Sequence, residues 1–239
     1  MASVAEHLVH QLEGAGVRHI YGIVGDSLNP VVDAVRRSKK IRWIHVRHEE
    51  TAAFAAAAEA EITGQLAVCA GSCGPGNLHL INGLYDANRS HLPVLAIASH
   101  IPTSQIGTGF FQETHPDRIF DECSVFSEMI SSSEQVPRVT RSAIQQALSN
   151  HGVAVLTLPG DIADMEVSGN LPDTITSPRP ARVVPNMEDV QGLADAINRA
   201  GKVTLFVGAG ARGAHDPIME LAELCLLYTS PSPRDVEES

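Results

Sequence analysis

The chain has 239 residues, of which 44% are apolar and 19% charged, a globular composition that excludes a disordered protein. Its 17 basic and 28 acidic side chains leave a formal charge of −11, which argues against nucleic acid or anionic lipid as a partner. No run approaches the ~18 apolar residues of a membrane-spanning helix, and residues 1–14 lack the basic start and apolar stretch of a secretory leader.

Apolar residues at helical spacing predict a first helix over 4–12, ending at Gly14 and Gly16. Residues 17–24 predict a strand that stops at Gly25-Asp26, where Asp26 or Ser27 is placed to cap a helix running through Arg37. A strand over 41–46 and a helix over 49–62 follow, with Gly64 as the helix stop. Residues 66–70 form a strand that enters the turn Gly71-Ser72-Cys73-Gly74-Pro75-Gly76-Asn77, and a helix over 77–87 comes next. Then come a fully apolar strand over 93–98, a long polar loop, a strand near 125–130, a helix over 134–149 and a buried strand over 153–158.

Strands apolar on both faces and separated by helices imply a parallel sheet covered on both sides. Residues 1–166 are therefore expected to form a doubly wound parallel α/β domain. Ligands of such sheets sit outside the carboxyl ends of the strands, which directs attention to Gly25-Asp26, His48-Glu49, 71–77 and the loop over 100–116. Residues 167–186 are rich in proline and read as a linker. Beyond it, a helix over 187–199, a strand over 203–207, the glycine turn 208–210 and a helix from about 216 begin a second α/β domain. That domain, 187–225, is expected to be truncated, because one parallel strand has no neighbours to pair with. Residues 226–239 break the helical pattern and read as a non-native tail.

The four cysteines are Cys69, Cys73, Cys123 and Cys225. In a chain of this size without a leader they read as free, packed thiols of a reducing cytoplasm. A zinc site at Cys69 and Cys73 needs two further ligands, and His79 is the only near candidate. Ala52 stands one helical turn after His48, so no histidine pair has the spacing of a zinc helix. His48, His79 and His115 read as hydrogen-bonded structural groups, with His79 facing a helix interior.

Glu49 and Glu50 open a helix, and glycines in the turn over 71–77 let the backbone approach a flat ligand ahead of a helix N-terminus. Each feature also has an ordinary reading, as a tight turn and as acids complementing a helix dipole. The alanines around Phe54, over 52–58, suit close packing against another element or subunit and leave no side chain to pair with Glu49. A carboxyl group desolvated there is placed to exchange a proton with a ring nitrogen.

The segments Arg47-His48-Glu49-Glu50, Gly71 to Ala87, Pro93-Val94-Leu95-Ala96-Ile97 and Phe111-Gln112-Glu113 resemble the thiamine diphosphate-dependent enzymes, in their N-terminal pyrimidine-binding domain. Within that family, Asn77-Leu78-His79-Leu80 and Phe111 to Pro116 look most like pyruvate oxidase and the quinone-linked pyruvate dehydrogenase. The resemblance runs from about Val4 to about Glu223. It implies that Glu49 bonds the N1′ nitrogen of the aminopyrimidine and that Gly74, Pro75, Gly76 and Asn77 pack against that ring. Phe111 and Gln112 match residues bordering the substrate, pyruvate, while Gly25 and Asp26 lie on a neighbouring loop. Gly208 and Gly210 match a turn that opens a flavin-holding middle domain, so FAD is an implied cofactor.

The resemblance further implies a homodimer or homotetramer, cytoplasmic or peripheral at the inner face of the plasma membrane through regions not represented here. The third domain of such enzymes holds Mg2+ and the diphosphate, and its Gly-Asp-Gly signature is matched neither by Gly25-Asp26-Ser27 nor by Gly160-Asp161-Ile162. The chain alone is thus expected neither to bind thiamine diphosphate tightly nor to decarboxylate pyruvate. Two other readings stay open: part of a related carboligase such as acetolactate synthase, and a non-catalytic domain dimerising through its alanine helix.

Overall fold

The structure, a computed structural model, describes residues 2–167 and 184–224. Contacts divide the chain into two units, Met1–Ala181 and Arg182–Ser239.

In the first unit, α1 (Val4–Gly14) begins with a reciprocal cap in which Glu6 N donates to Ser3 Oγ and Ser3 N to the Glu6 carboxylate at 2.8 Å. Strands and helices then alternate: β1 (His19–Gly22), α2 (Asn29–Ser38), β2 (Arg42–His45), α3 (Glu49–Thr63), β3 (Ala67–Gly71), α4 (Pro75–Arg89) and β4 (Val94–His100). The unit continues through α5 (Pro116–Ile119), β5 (Phe126–Met129), α6 (Val136–Asn150), β6 (Val153–Pro159) and α7 (Gly160–Asp164). The six strands form one sheet in the order β2-β1-β3-β4-β6-β5, and every pair is parallel.

Period-two alternation sorts the central strands onto two cores. Val68, Leu95, Ile97, Ala154 and Leu156 face one core with Leu8 of α1, Val31 of α2 and Ile144 of α6. Ala67, Cys69, Val94, Ala96 and Val155 face the other, with Ala53 of α3 and Leu80 of α4. This is the doubly wound parallel sheet expected from the sequence. Small side chains on the second face let α3 and α4 lie close to the sheet and to each other, and Gly64 ends α3 in the left-handed conformation at φ 67°. Cys69, Cys73 and Cys123 are free and buried, and burial pushes the Cys69 thiol up to about 12 and that of Cys123 up to about 11.

Three local expectations are corrected. Neither Asp26 nor Ser27 caps α2: Asp26–Leu28 is a 3-10 turn led by Gly25, and α2 starts at Asn29-Pro30 without a side-chain cap. The hydroxyl of Ser27 is instead engaged by Ser72 Oγ and by the N–H of Cys73. The polar loop after β4 contains the short helix α5, because Pro116 supplies the fixed φ that starts a helical turn. In the second unit α8 (Met187–Arg199) and α9 (His215–Leu224) form, but residues 203–207 make no strand, and Phe206 is fully exposed. A strand exists only by pairing, and no partner strand stands among the described residues of that unit. Most of the linker over 167–186, Cys225 and the tail over 226–239 lie outside the described residues.

Candidate functional site

The carboxyl ends of β1, β3 and β4 gather most of the residues singled out in the sequence. Glu49 is the first residue of α3, where free backbone N–H groups and the dipole favour a carboxylate. It is only 8% exposed. The glycine turn packs directly on it: a Cβ at Gly76 would stand 3.2 Å from Glu49 Oε1. Gly74 takes φ 68°, and a Cβ there would stand 3.0 Å from the Gln112 carbonyl oxygen. A Cβ at Gly25 would collide with Ser72 Oγ at 2.3 Å. Missing side chains at Gly25, Gly74 and Gly76 thus let Ser72, Gln112 and Glu49, respectively, approach closely.

The expectation that no side chain pairs with Glu49 is overturned. His79 Nδ1 lies 2.9 Å from Glu49 Oε2, and the His79 ring stacks on His48 with centroids 4.3 Å apart. His79 does not face a helix interior: its side chain is 44% exposed on the first turns of α4. Sequence reasoning missed the pair because 30 positions separate its members. The available signal was their matching place near the starts of successive helices, which a parallel sheet brings side by side.

Other predicted residues take distinct places. Asn77 is fully buried and donates through Nδ2 to the Ser99 carbonyl at 2.6 Å, tying the start of α4 to the end of β4. Pro75 opens α4, supplying its first-turn φ. Asp26 and Gln112 line a cavity of about 610 Å³ together with Ser27, Cys73, His100 and Asp161. His100, only 2% exposed, has Nδ1 without a hydrogen-bond partner, and burial lowers its pKa, keeping the ring neutral at pH 7. His100 opens the loop over 100–116 to which the strand ends directed attention, but its burial was not legible from the sequence. Phe111 is 84% exposed beside Phe110. Gly208 and Gly210 belong to the second unit, at a 3-10 turn with nothing within 4 Å of where a Cβ would stand.

The loop that carries Phe111 and Gln112 is fastened by Glu113, whose carboxylate accepts the N–H groups of Gly107 and, at 2.9 Å, Gly109. These backbone bonds, Gly107 foremost, hold its pKa below the ordinary 4.5. A depressed pKa means that the fastening is complete above 4.5 and is lost as pH falls through the lowered value. In an NMR titration, the Gly107 and Gly109 amide protons are expected to hold constant shifts from neutrality into the ordinary carboxylate range and to move only below it. Movement at or above that range, or the same titration in Glu113→Gln, contradicts the assignment.

Comparison with known proteins identifies a family. Residues 2–119 match the family model described as thiamine pyrophosphate enzyme, N-terminal TPP binding domain. The chain is 57% identical over 221 residues to an uncharacterized 42.6 kDa protein in the isoamylase 3′ region of Pseudomonas amyloderamosa, covering 92% of this chain and 56% of that one. It is 35% identical over 236 residues to pyruvate oxidase of Lactiplantibacillus plantarum, covering 94% of this chain and 38% of the relative. Against acetolactate synthase of Mycobacterium bovis it is 35% identical over 225 residues, covering 92% and 36%. The chain therefore spans little more than half of the first of these relatives and well under half of the other two.

Proposed function

The chain belongs, through residues 2–119, to the thiamine pyrophosphate enzyme family, and on that premise we propose that it is the pyrimidine-binding part of an enzyme that oxidatively decarboxylates pyruvate. Thiamine pyrophosphate, or diphosphate, supplies when bound the electron sink for breaking the bond to the carboxylate of a 2-keto acid. The single observation that carries the reading is Glu49: a carboxylate buried at a helix start, with the glycine turn packed against one oxygen and His79 on the other.

The residues present fit the aminopyrimidine end of the cofactor. The bare backbone at Gly74 and Gly76 lets Gln112 and Glu49 settle directly on the turn, and Glu49 offers a buried carboxyl oxygen there to a ring nitrogen. Glu49 holds or gives up a proton at that atom, and His79 fixes the orientation in which it does so. Gln112, seated on the Gly74 turn, reaches the same end of the sheet as a polar neighbour for substrate. FAD, with Gly208 and Gly210, and Mg2+ belong in this reading to parts of the complete enzyme beyond residues 2–167. A homodimer or homotetramer is part of the proposal, supported by Phe54 and Leu78, which leave apolar surface exposed on α3 and α4. No helix of the described residues is long and apolar enough to cross a membrane, and the proposed location is the cytoplasm.

A second reading, a carboligase, is favoured by the 35% identity to an acetolactate synthase, equal to that with pyruvate oxidase. Product analysis separates the two. With pyruvate and an electron acceptor, the complete enzyme is expected to form acetate or acetyl phosphate and to reduce the acceptor. Acetolactate as the main product, formed without acceptor, would establish the second reading instead.

A further inference from the structure

Glu49 and His79 have a third neighbour, and the three together make a different kind of site. His48, Glu49 and His79 each offer one ligand atom, and all three atoms lie within 4.8 Å of one another. His48 immediately precedes α3, Glu49 is its first residue and His79 stands on α4, so the packing of the two helices assembles the group. A histidine-spacing search along one helix does not find it, which is why the sequence offered no zinc motif. The geometry points to a binding site for a borderline divalent transition ion, Zn2+ foremost, held by His48, Glu49 and His79 and competing with the proton-exchange role of Glu49.

The donor set fits that class of ion. Two imidazoles and one carboxylate, with a fourth position left to water, is a known zinc ligand set. Mg2+ and Ca2+ prefer oxygen donors throughout and are poorly served by it. Donor atoms around a tetrahedral zinc, with bonds of about 2.0–2.1 Å, stand about 3.3 Å apart. The His79–Glu49 pair, at 2.9 Å, is already slightly closer than that, and a modest ring movement brings in His48. Both rings have room to move, since their side chains are 48% and 44% exposed, whereas Glu49 is fixed and buried. The movement of His48 gives up the 3.3 Å hydrogen bond it accepts from Glu50 N, its 3.8 Å contact with the Glu50 carboxylate and part of its stacking on His79. Exposure of the two rings also supplies the entry path. Cys69 and Cys123 do not compete, because burial raises both thiols far above neutrality.

Metal binding by the trio stands independently of the proposed function, while competition with catalysis rests on it. Zn2+ is titrated into the purified 239-residue chain by calorimetry, with Co2+ as a spectroscopic probe. One saturable Zn2+ per chain is expected, with tetrahedral visible bands for Co2+ and no displacement by excess Mg2+. Removal of a direct ligand costs at least the ~10–100-fold in affinity that losing an outer partner costs, so His79→Gln and His48→Ala are each expected to weaken binding by tenfold or more. Circular dichroism verifies that each variant folds, and His48, exposed at the helix start, gives the second variant should His79→Gln unfold. No saturable binding, or wild-type affinity in a folded variant, overturns the site. In the complete enzyme, Zn2+ is expected to inhibit turnover and a chelator to restore it. Stoichiometric binding by the trio with turnover unaffected would leave the metal site standing and overturn both the competition and the role of Glu49.

Discussion

Glu49→Gln in the complete enzyme is expected to lower pyruvate turnover by ~10²–10⁴-fold, the usual contribution of a positioned general acid or base. The substitution keeps the shape and a hydrogen-bonding oxygen but removes the exchangeable carboxyl proton. It is well suited to the position because Glu49 is 8% exposed and enclosed by the Gly76 backbone on one side and His79 on the other. A smaller residue would leave a gap there and confuse chemistry with packing. The thermal midpoint is measured alongside, so that loss of chemistry is separated from loss of folding. A folded variant with an unchanged rate would remove Glu49 from the catalytic machinery.

The second large effect is expected on stability. Gly83→Ala in the 239-residue chain should destabilise the first unit by about 1–3 kcal/mol, the typical cost of forcing an added carbon into a packed core. Gly83 lies within α4 where it crosses α3. A Cβ added there would stand 2.6 Å from Ala53 Cβ, 3.0 Å from Phe54 N and 3.1 Å from Glu50 O. Two of those three atoms are backbone and cannot turn away, so the helices themselves must separate. An opposing effect exists, because alanine is favoured over glycine inside a helix by roughly 1 kcal/mol. The steric cost wins because the closest approach lies far inside van der Waals contact. Urea unfolding followed by circular dichroism measures the balance, and a gain in stability would show that α3 and α4 are not packed this closely. The same displacement moves Glu49 relative to Gly76, so the variant is expected to disturb the site as well as the fold.

Much of this protein was legible locally. The strand and helix alternation of the first unit needs only the short apolar runs and the glycines between them. The ends of α3 are written at Glu49 and Gly64, one an acid at a dipole's positive end and the other a residue free to adopt φ 67°. The glycine turn over 71–77 and the pair Phe111-Gln112 also stood out, and they meet where Gly74 touches Gln112. Misplaced features were those that depend on a distant partner. The capping of α2 failed because the Ser27 hydroxyl is taken by Ser72 and Cys73, 45 and 46 positions away. The strand over 203–207 failed because β propensity without a neighbouring strand forms no ladder.

The sequence alone determined that residues 4–159 make strands and helices in alternation, and that the strands are covered on both faces. Those properties follow from side chains three, four or two positions apart, whose spacing is set by helix and strand geometry. Only the tertiary structure decided that β3 lies beside both β1 and β4, that α4 settles on α3 at Gly83, and that His79 therefore reaches Glu49. Strand order and helix contact are set by the closure of a core across long stretches of chain, and no local spacing records that closure.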